Sequence, residues 1–422
     1  MENFYYLDLF AGGGGLSEGF VQAGFSPVAH IEMDKAACYT LKTRQAYYWL
    51  KKNNKINIYY DYLENKITRN QLYNYVPKKI INTVINEEIS DNTINSLFKN
   101  IAKKIGKRKI SLIIGGPPCQ AYSIVGRARD EKSMEGDSRN YLYIQYAKFL
   151  KRFNPDFFVF ENVLGLLSAK DSNGKKYFDA MINLFESLEY KIDYRILDAS
   201  NFGVFQKRKR IIIIGSKKNP NFCFPNLEID NFINIKVNDL FSDLPKLKAG
   251  EGTFNAKNCL PYNKEFLYEI GIKDRAFKKI TYHFARKNNK KDLEIYKIAV
   301  KNWNSNNQRL NYNDLPQKLK TQKNTKSFLD RYKVIEGEWN FCHTIVAHLS
   351  KDGHYYIHPD INQNRSITPR EAARIQSFPD NYYFETIRGT PAFSPVFKQI
   401  GNAVPVRLAK KIADKIMEII NE

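Results

Sequence analysis

One thiol in this chain sits in an unusual frame. The run Gly115-Gly116-Pro117-Pro118-Cys119-Gln120 follows directly on the apolar stretch Ile110 to Ile114. Two glycines and two prolines impose a sharp, rigid turn at a strand's end, and such a turn presents one side chain at fixed geometry. Cys119 is therefore the candidate nucleophile, although a lone cysteine is ordinarily an inert buried thiol. Glu161, in Glu161-Asn162-Val163, follows another apolar run, Phe157–Phe160, and is a candidate general acid beside that nucleophile. Gln206-Lys207-Arg208-Lys209-Arg210 stands before the run Ile211–Ile214, and strand alternation would aim Arg208 and Arg210 to one side.

A second group of residues could hold a ligand. Phe10-Ala11-Gly12-Gly13-Gly14-Gly15 leads from the first apolar run into a helical pattern, and such a loop lets backbone amides approach an anion closely. The spacing is not Gly-x-Gly-x-x-Gly, so a dinucleotide with its pyrophosphate fits poorly. Glu32 ends the second apolar run about 20 residues on, where an acid accepts hydrogen bonds from ribose hydroxyls. Loop and acid together suggest a nucleoside cofactor without phosphates, and S-adenosyl-L-methionine suits because its carboxylate can take the phosphate's place.

The elements that must position these residues alternate. Buried-strand patterns at Tyr5–Phe10, Val28–Glu32, Ile110–Ile114, Phe157–Phe160, Tyr190–Leu197 and Ile211–Ile214 are interleaved with helical ones at Gly19–Ala23, Leu142–Phe153 and Tyr177–Leu188. This predicts an α/β protein with a doubly wound, mostly parallel sheet whose ligands gather at the carboxyl ends of the strands. The short link between the last two strand patterns predicts a hairpin, which brings the Arg pair to that same edge. From about Ser216 the pattern breaks into polar sequence with isolated aromatics. A catalytic and cofactor domain is thus expected over 1–215, completed by 396–422, with a second, irregular domain over 216–395. Within the latter, Thr368-Pro369-Arg370-Glu371 predicts a capped helix through Ile375. Arg407 to Ile420 predicts a closing amphipathic helix, and 64–108 reads as a helical insertion without chemistry.

The 422 residues carry a formal net charge of +22, which makes a polyanion the first partner to consider, nucleic acid ahead of a membrane. Five cysteines without a Cys-x-x-Cys pair suit neither a disulfide framework nor a zinc cluster, so a reducing compartment and no metal are expected. No stretch approaches the roughly 18 apolar residues of a membrane span. A cytoplasmic protein is expected.

Six segments, in order, resemble the DNA (cytosine-5)-methyltransferases of bacterial modification systems: Asp8 to Gly12, Pro117 to Gln120, Glu161 to Val163, Gln206 to Arg210, Arg365 to Arg374, and Gln399 to Pro405. The resemblance implies a Rossmann-like, S-adenosyl-L-methionine-dependent methyltransferase fold with a target-recognition domain whose core is 217–343. It implies Cys119 as the thiolate that adds to cytosine C6, Glu161 as the partner of N3, Arg210 as the holder of O2 and Arg208 as its support. The implied cofactor set is Phe10, Ala11, Gly12 and Gly15 in the loop, Glu32 on the ribose, Met33 and Asp61 flanking the adenine, and Pro118, Asn402 and Val404. Ser123–Arg139 resembles the family's mobile catalytic loop, with hinges at Gly126 and Gly136 and with Arg127 and Arg129 near phosphate. The implied substrate is a flipped-out cytosine in a specific double-stranded DNA sequence, bound by a monomer, with a cognate restriction endonuclease acting on the same site without direct contact. A tRNA cytosine-5 methyltransferase and a catalytically silent DNA-binding homologue are the rival readings. The long variable region argues against the first, and intact Cys119, Glu161 and Arg210 argue against the second.

Overall fold

Seven strands form one sheet in the order β3-β2-β1-β4-β5-β7-β6, with β1 at Tyr5–Leu9, β2 at Ser26–Glu32, β3 at Val84–Asn86, β4 at Ile110–Gly115, β5 at Phe157–Asn162, β6 at Lys191–Asp198 and β7 at Lys209–Ser216. The computed structural model describes residues 4–118, 141–230, 234–261 and 265–421. Cys119, Gln120 and the Ser123–Arg139 loop lie outside the described residues. All pairings are parallel except those of β7, which runs antiparallel to both β5 and β6. The hairpin expected from the short link is therefore present, and Arg210 at the start of β7 reaches the carboxyl edge of β5.

Period-2 alternation explains how the sheet is covered. Leu7, Leu9, Ile113 and Phe158 face α6 (Ile94–Ile105) and the helices Leu142–Phe153 and Tyr177–Glu186. Tyr6, Leu112, Ile114 and Val159 face the other way, onto α1 (Gly15–Gln22) and the closing helix Val406–Asn421. Gly19 admits that closing helix, since a Cβ there would stand 2.5 Å from Ala409 Cβ. The chain's end thus packs back on its beginning.

Two expectations need correction. The stretch 64–108 is a helical insertion only in its first part: β3 pairs with β2 and α6 covers the sheet, so both belong to the doubly wound core. The helices beyond that plan are α3 (Ile56–Leu63), just before this stretch, and α4 (Arg69–Asn74) and α5 (Lys78–Ile81) within it, all following α2 (Lys35–Lys52). In addition, the strand expected at Tyr190–Leu197 is not a buried one. It forms the sheet's edge, with Tyr194 and Ile196 exposed.

Packing crosses residue 216. A single apolar cluster joins Leu50 and Tyr59 to Leu240, Ile280, Tyr382 and Phe397, while Ile295, Val300, Trp303, Tyr332 and Ile357 make a separate core inside the 216–395 region. The helix Pro369–Ile375 lies at the junction and carries the expected capping box between Thr368 and Glu371. Its Arg374 is fully buried, with Nη1 2.5 Å from Asp243 Oδ1 and Nη2 2.6 Å from Asp380 Oδ2. Burial pushes the Asp243 carboxyl up, but the Arg374 charge, with hydrogen bonds from Arg374 and Lys273, brings it down to about 2. Removing one partner from such a group leaves buried, uncompensated charge. Arg374→Met is expected to destabilise the fold by about 3 kcal/mol, measured as a lowered denaturation midpoint; an unchanged midpoint would show that the junction does not depend on this group. Among the described residues no helix is long and apolar enough to cross a membrane.

Candidate active site

The strand order reverses between β1 and β4, which makes the loops after these two strands the walls of a ligand crevice. After β1 the backbone turns sharply. Phe10 has φ 58° and Gly12 φ 54°, left-handed values that a non-glycine residue such as Phe10 holds only under constraint from its surroundings. Gly12 donates its N–H to Glu32 Oε2 at 2.8 Å, and Asp34 N–H reaches Glu32 Oε1 at 2.7 Å. Burial pushes the Glu32 carboxyl up, against the pull of those two amides. Gly14 and Gly15 are enclosed: a Cβ on Gly15 would stand 2.2 Å from Val404 O, and the Tyr382 hydroxyl donates to Gly13 O. A Cβ on Gly12, by contrast, would meet nothing within 4 Å. The loop is therefore packed behind and open at Gly12, as an approach of ligand to backbone requires.

Met33 is 61% exposed beside this opening. Asn402 is exposed at the end of the helix Phe393–Asn402, and Val404 is buried against the loop, so both return from the C-terminus to the first domain. Asp61 does not join them. It lies in α3, ion-paired with Lys66 at 3.0 Å, while neighbouring Tyr60 stacks on Phe277 and Glu64 pairs with Lys279 of the 216–395 region. The residue that does stand beside Glu32 and Met33 is Asn86, at the end of β3, whose side-chain amide donates to both of their carbonyl oxygens at 3.1 and 2.9 Å. The sequence signal for it was the two-residue apolar run Val84-Ile85 after a turn.

The second wall is built from β4, β5 and β7. Glu161 stands near the end of β5, across from the start of β7, and Arg210 Nε lies 2.7 Å from Glu161 Oε1. Both side chains retain about one seventh of their surface, at 14% and 13%, so the pair is held in place yet remains reachable. Gly116 leaves room for the carboxylate in this position, because a Cβ there would stand 2.6 Å from Glu161 Oε2. Asn162 turns the other way and donates to Pro117 O at 3.5 Å, tying β5 to the two prolines. Pro118 follows, exposed at the crevice. Gly116→Ala should displace the Glu161 carboxylate and lower kcat by roughly ten- to a hundredfold with little change in thermal midpoint. Parental kcat in this variant would separate Glu161 from the chemistry.

Arg208 takes another direction from Arg210. It precedes the first residue of β7, is 2% exposed, and donates to Ile345 O at 2.8 Å and Gly401 O at 3.3 Å. Its guanidinium joins the start of β7 to the 216–395 region and to the C-terminal segment. Gln206 does similar work: its side-chain oxygen accepts Ile345 N–H at 2.8 Å and its amide donates to Gln376 Oε1 at 2.8 Å.

The family profile described as C-5 cytosine-specific DNA methylase matches residues 4–72 and 59–418. Type II methyltransferase M.Bpa9945I of Bacillus paralicheniformis is 39% identical, over 98% of this chain and 99% of its own length. Type II methyltransferase M.DdeI of Desulfomicrobium norvegicum is 31% identical, over 97% of this chain and 88% of its own. A crystal structure of a DNA modification methyltransferase encoded within an E. coli prophage shares the fold, with a TM-score of 0.63 at 24% identity over 100% of both chains. The chain belongs to the C-5 cytosine-specific DNA methylase family and is a DNA (cytosine-5)-methyltransferase of the bacterial restriction-modification kind.

Proposed function

We propose that this methyltransferase draws its methyl group from S-adenosyl-L-methionine and acts on a cytosine flipped out of a specific double-stranded DNA sequence. The observation that carries this reading is the Glu161–Arg210 pair standing over Gly116, immediately before the Pro-Pro-Cys turn. C5 of cytosine is too weak a nucleophile to accept a methyl group directly. The Cys119 thiolate adds to C6, so that a C–S bond forms and the ring electrons move toward C5 and N3. Glu161 protonates or hydrogen-bonds N3, and Arg210 holds O2 as charge builds on the ring. When bound, S-adenosyl-L-methionine supplies the electrophilic methyl group. Loss of the C5 proton and departure of the Cys119 sulfur restore the aromatic ring. Because C6 is shielded in the stack, the base leaves the duplex first, at a cost of a few kcal/mol.

The residues fit that cofactor. Phe10 would stack on the adenine, Ala11, Gly12 and Gly15 would form the loop beside the methionine moiety, Glu32 would take the ribose hydroxyls, and Met33 and Asn86 would border the adenine. Pro118, Asn402 and Val404 close the crevice. Arg208 acts as a positioning residue for β7. The 216–395 region reads the target, the protein works in the cytoplasm as a monomer on DNA, and a cognate endonuclease cuts the same site without touching it. Bisulfite sequencing of DNA from cells expressing the chain tests this reading: protected cytosines should appear in one sequence context. Unprotected DNA with protected cytosines in tRNA would overturn it.

A further inference from the structure

The amino edge of the sheet, opposite the crevice, gathers basic residues from many parts of the sequence. Alternating topology sends the ends of the crossover helices and the starts of the parallel strands to this one edge. Lys51 and Lys52 close α2, Lys78 and Lys79 lie in α5, Lys103 and Lys104 close α6, and Lys151 and Arg152 close the helix Leu142–Phe153. Lys107, Arg108 and Lys109 lead into β4, and Lys217 and Lys218 follow β7.

These residues form a continuous band. Lys104 Nζ donates to Asn82 O at 2.6 Å, joining the end of α6 to the start of β3. Arg108 lies over the Tyr5 ring at the start of β1, 4.9 Å from its centroid. Lys109 and Lys218 share Asp156, at 2.6 and 3.4 Å, which joins β4, β5 and β7. A groove at the start of β2 is lined by Lys51, Lys52 and Lys79 with Pro27, Tyr48 and Trp49. Lysines in a helix's last turn complement its dipole, which accounts for the helix pairs. Arg108 serves α6 in the same way, donating to the Lys104 and Ile105 carbonyls at its end, whereas Lys107, Lys109, Lys217 and Lys218 lie outside any helix's last turn.

From β3 to β7 the band spans five strand spacings, about 24 Å, or roughly seven base pairs of duplex at about 3.4 Å each. β4 is six residues long, so the two edges stand about 20 Å apart. A short duplex seated at the crevice does not reach around that height, given a persistence length of about 150 base pairs. We propose that this amino-edge band binds the phosphate backbone of a second duplex segment, without sequence preference, while the crevice holds the target.

The test compares the parent with the quadruple variant Lys78→Gln, Lys103→Gln, Lys107→Gln, Lys151→Gln. On a single-site duplex of about 20 base pairs, kcat and KM should match the parent, which also reports that the variant is folded. On kilobase-length DNA with one site, KM should rise several-fold. The log–log salt slope of binding should flatten by about 3 to 4, near 0.9 per lost phosphate contact. An unchanged slope and KM on long DNA would overturn the proposal. So would an equal loss on both lengths, which would place these lysines in the field of the crevice. Lost binding to phosphatidylserine vesicles, with long-DNA kinetics unchanged, would assign the band to a membrane instead.

Discussion

Glu161→Gln is expected to lower kcat by roughly 100-fold or more, the scale of a lost general acid, with little change in KM for DNA. The amide keeps the size of the side chain and one acceptor. It cannot release a proton to N3, and it gives up the charge on which Arg210 Nε rests at 2.7 Å. The loss therefore falls on the step in which charge develops on the ring, not on ground-state binding. Single-turnover methylation with enzyme in excess over duplex, alongside steady-state kcat and KM, is the measurement. A drop below about threefold would remove Glu161 from proton transfer, and a selective rise in KM would make it a binding residue.

Cys119→Ser is expected to abolish methyl transfer, by roughly 1000-fold or more, while cofactor and duplex affinities stay near parental. A hydroxyl is almost the same volume but is not ionised at neutral pH. The four other cysteines are poor substitutes for the missing thiolate. Burial pushes the Cys38 and Cys259 thiols up to about 12 and holds Cys342 well above its ordinary value. Cys223 is exposed, beyond the end of β7 at the sheet's amino edge, and its thiol donates to Asn221 O. A variant keeping even one tenth of parental turnover would take the nucleophile's role from Cys119.

The strands and their edge were readable in the sequence because buried parallel strands write themselves as short apolar runs, and Gly116, Glu161 and Arg210 stand directly beside such runs. Four features were less readable, each for a physical reason. β3 is only three residues long, too short for a periodic signal, so Asn86 was hidden inside an apparent insertion. Asp61 was chosen on a short local match, and what decides against it, the pairing with Lys66 and the stacking of Tyr60 on Phe277, involves contacts that sequence spacing does not encode. Alternation put Arg208 on the side of Arg210, but alternation holds only within a strand, and Arg208 lies one residue before β7 begins. The apolar cluster shared across residue 216 is likewise built from distant segments, such as Leu50 and Phe397, whose partnership no local pattern announces.

Trapping on a fluorinated substrate tests the central claim most directly. A duplex carrying 5-fluorocytosine at the target, incubated with the full chain and S-adenosyl-L-methionine, allows thiolate addition and methylation. It blocks the last step, because fluorine cannot leave as a proton does. A stable one-to-one protein–DNA adduct is expected, and peptide mapping should place it on Cys119. No adduct, or one on any other cysteine, would contradict the account.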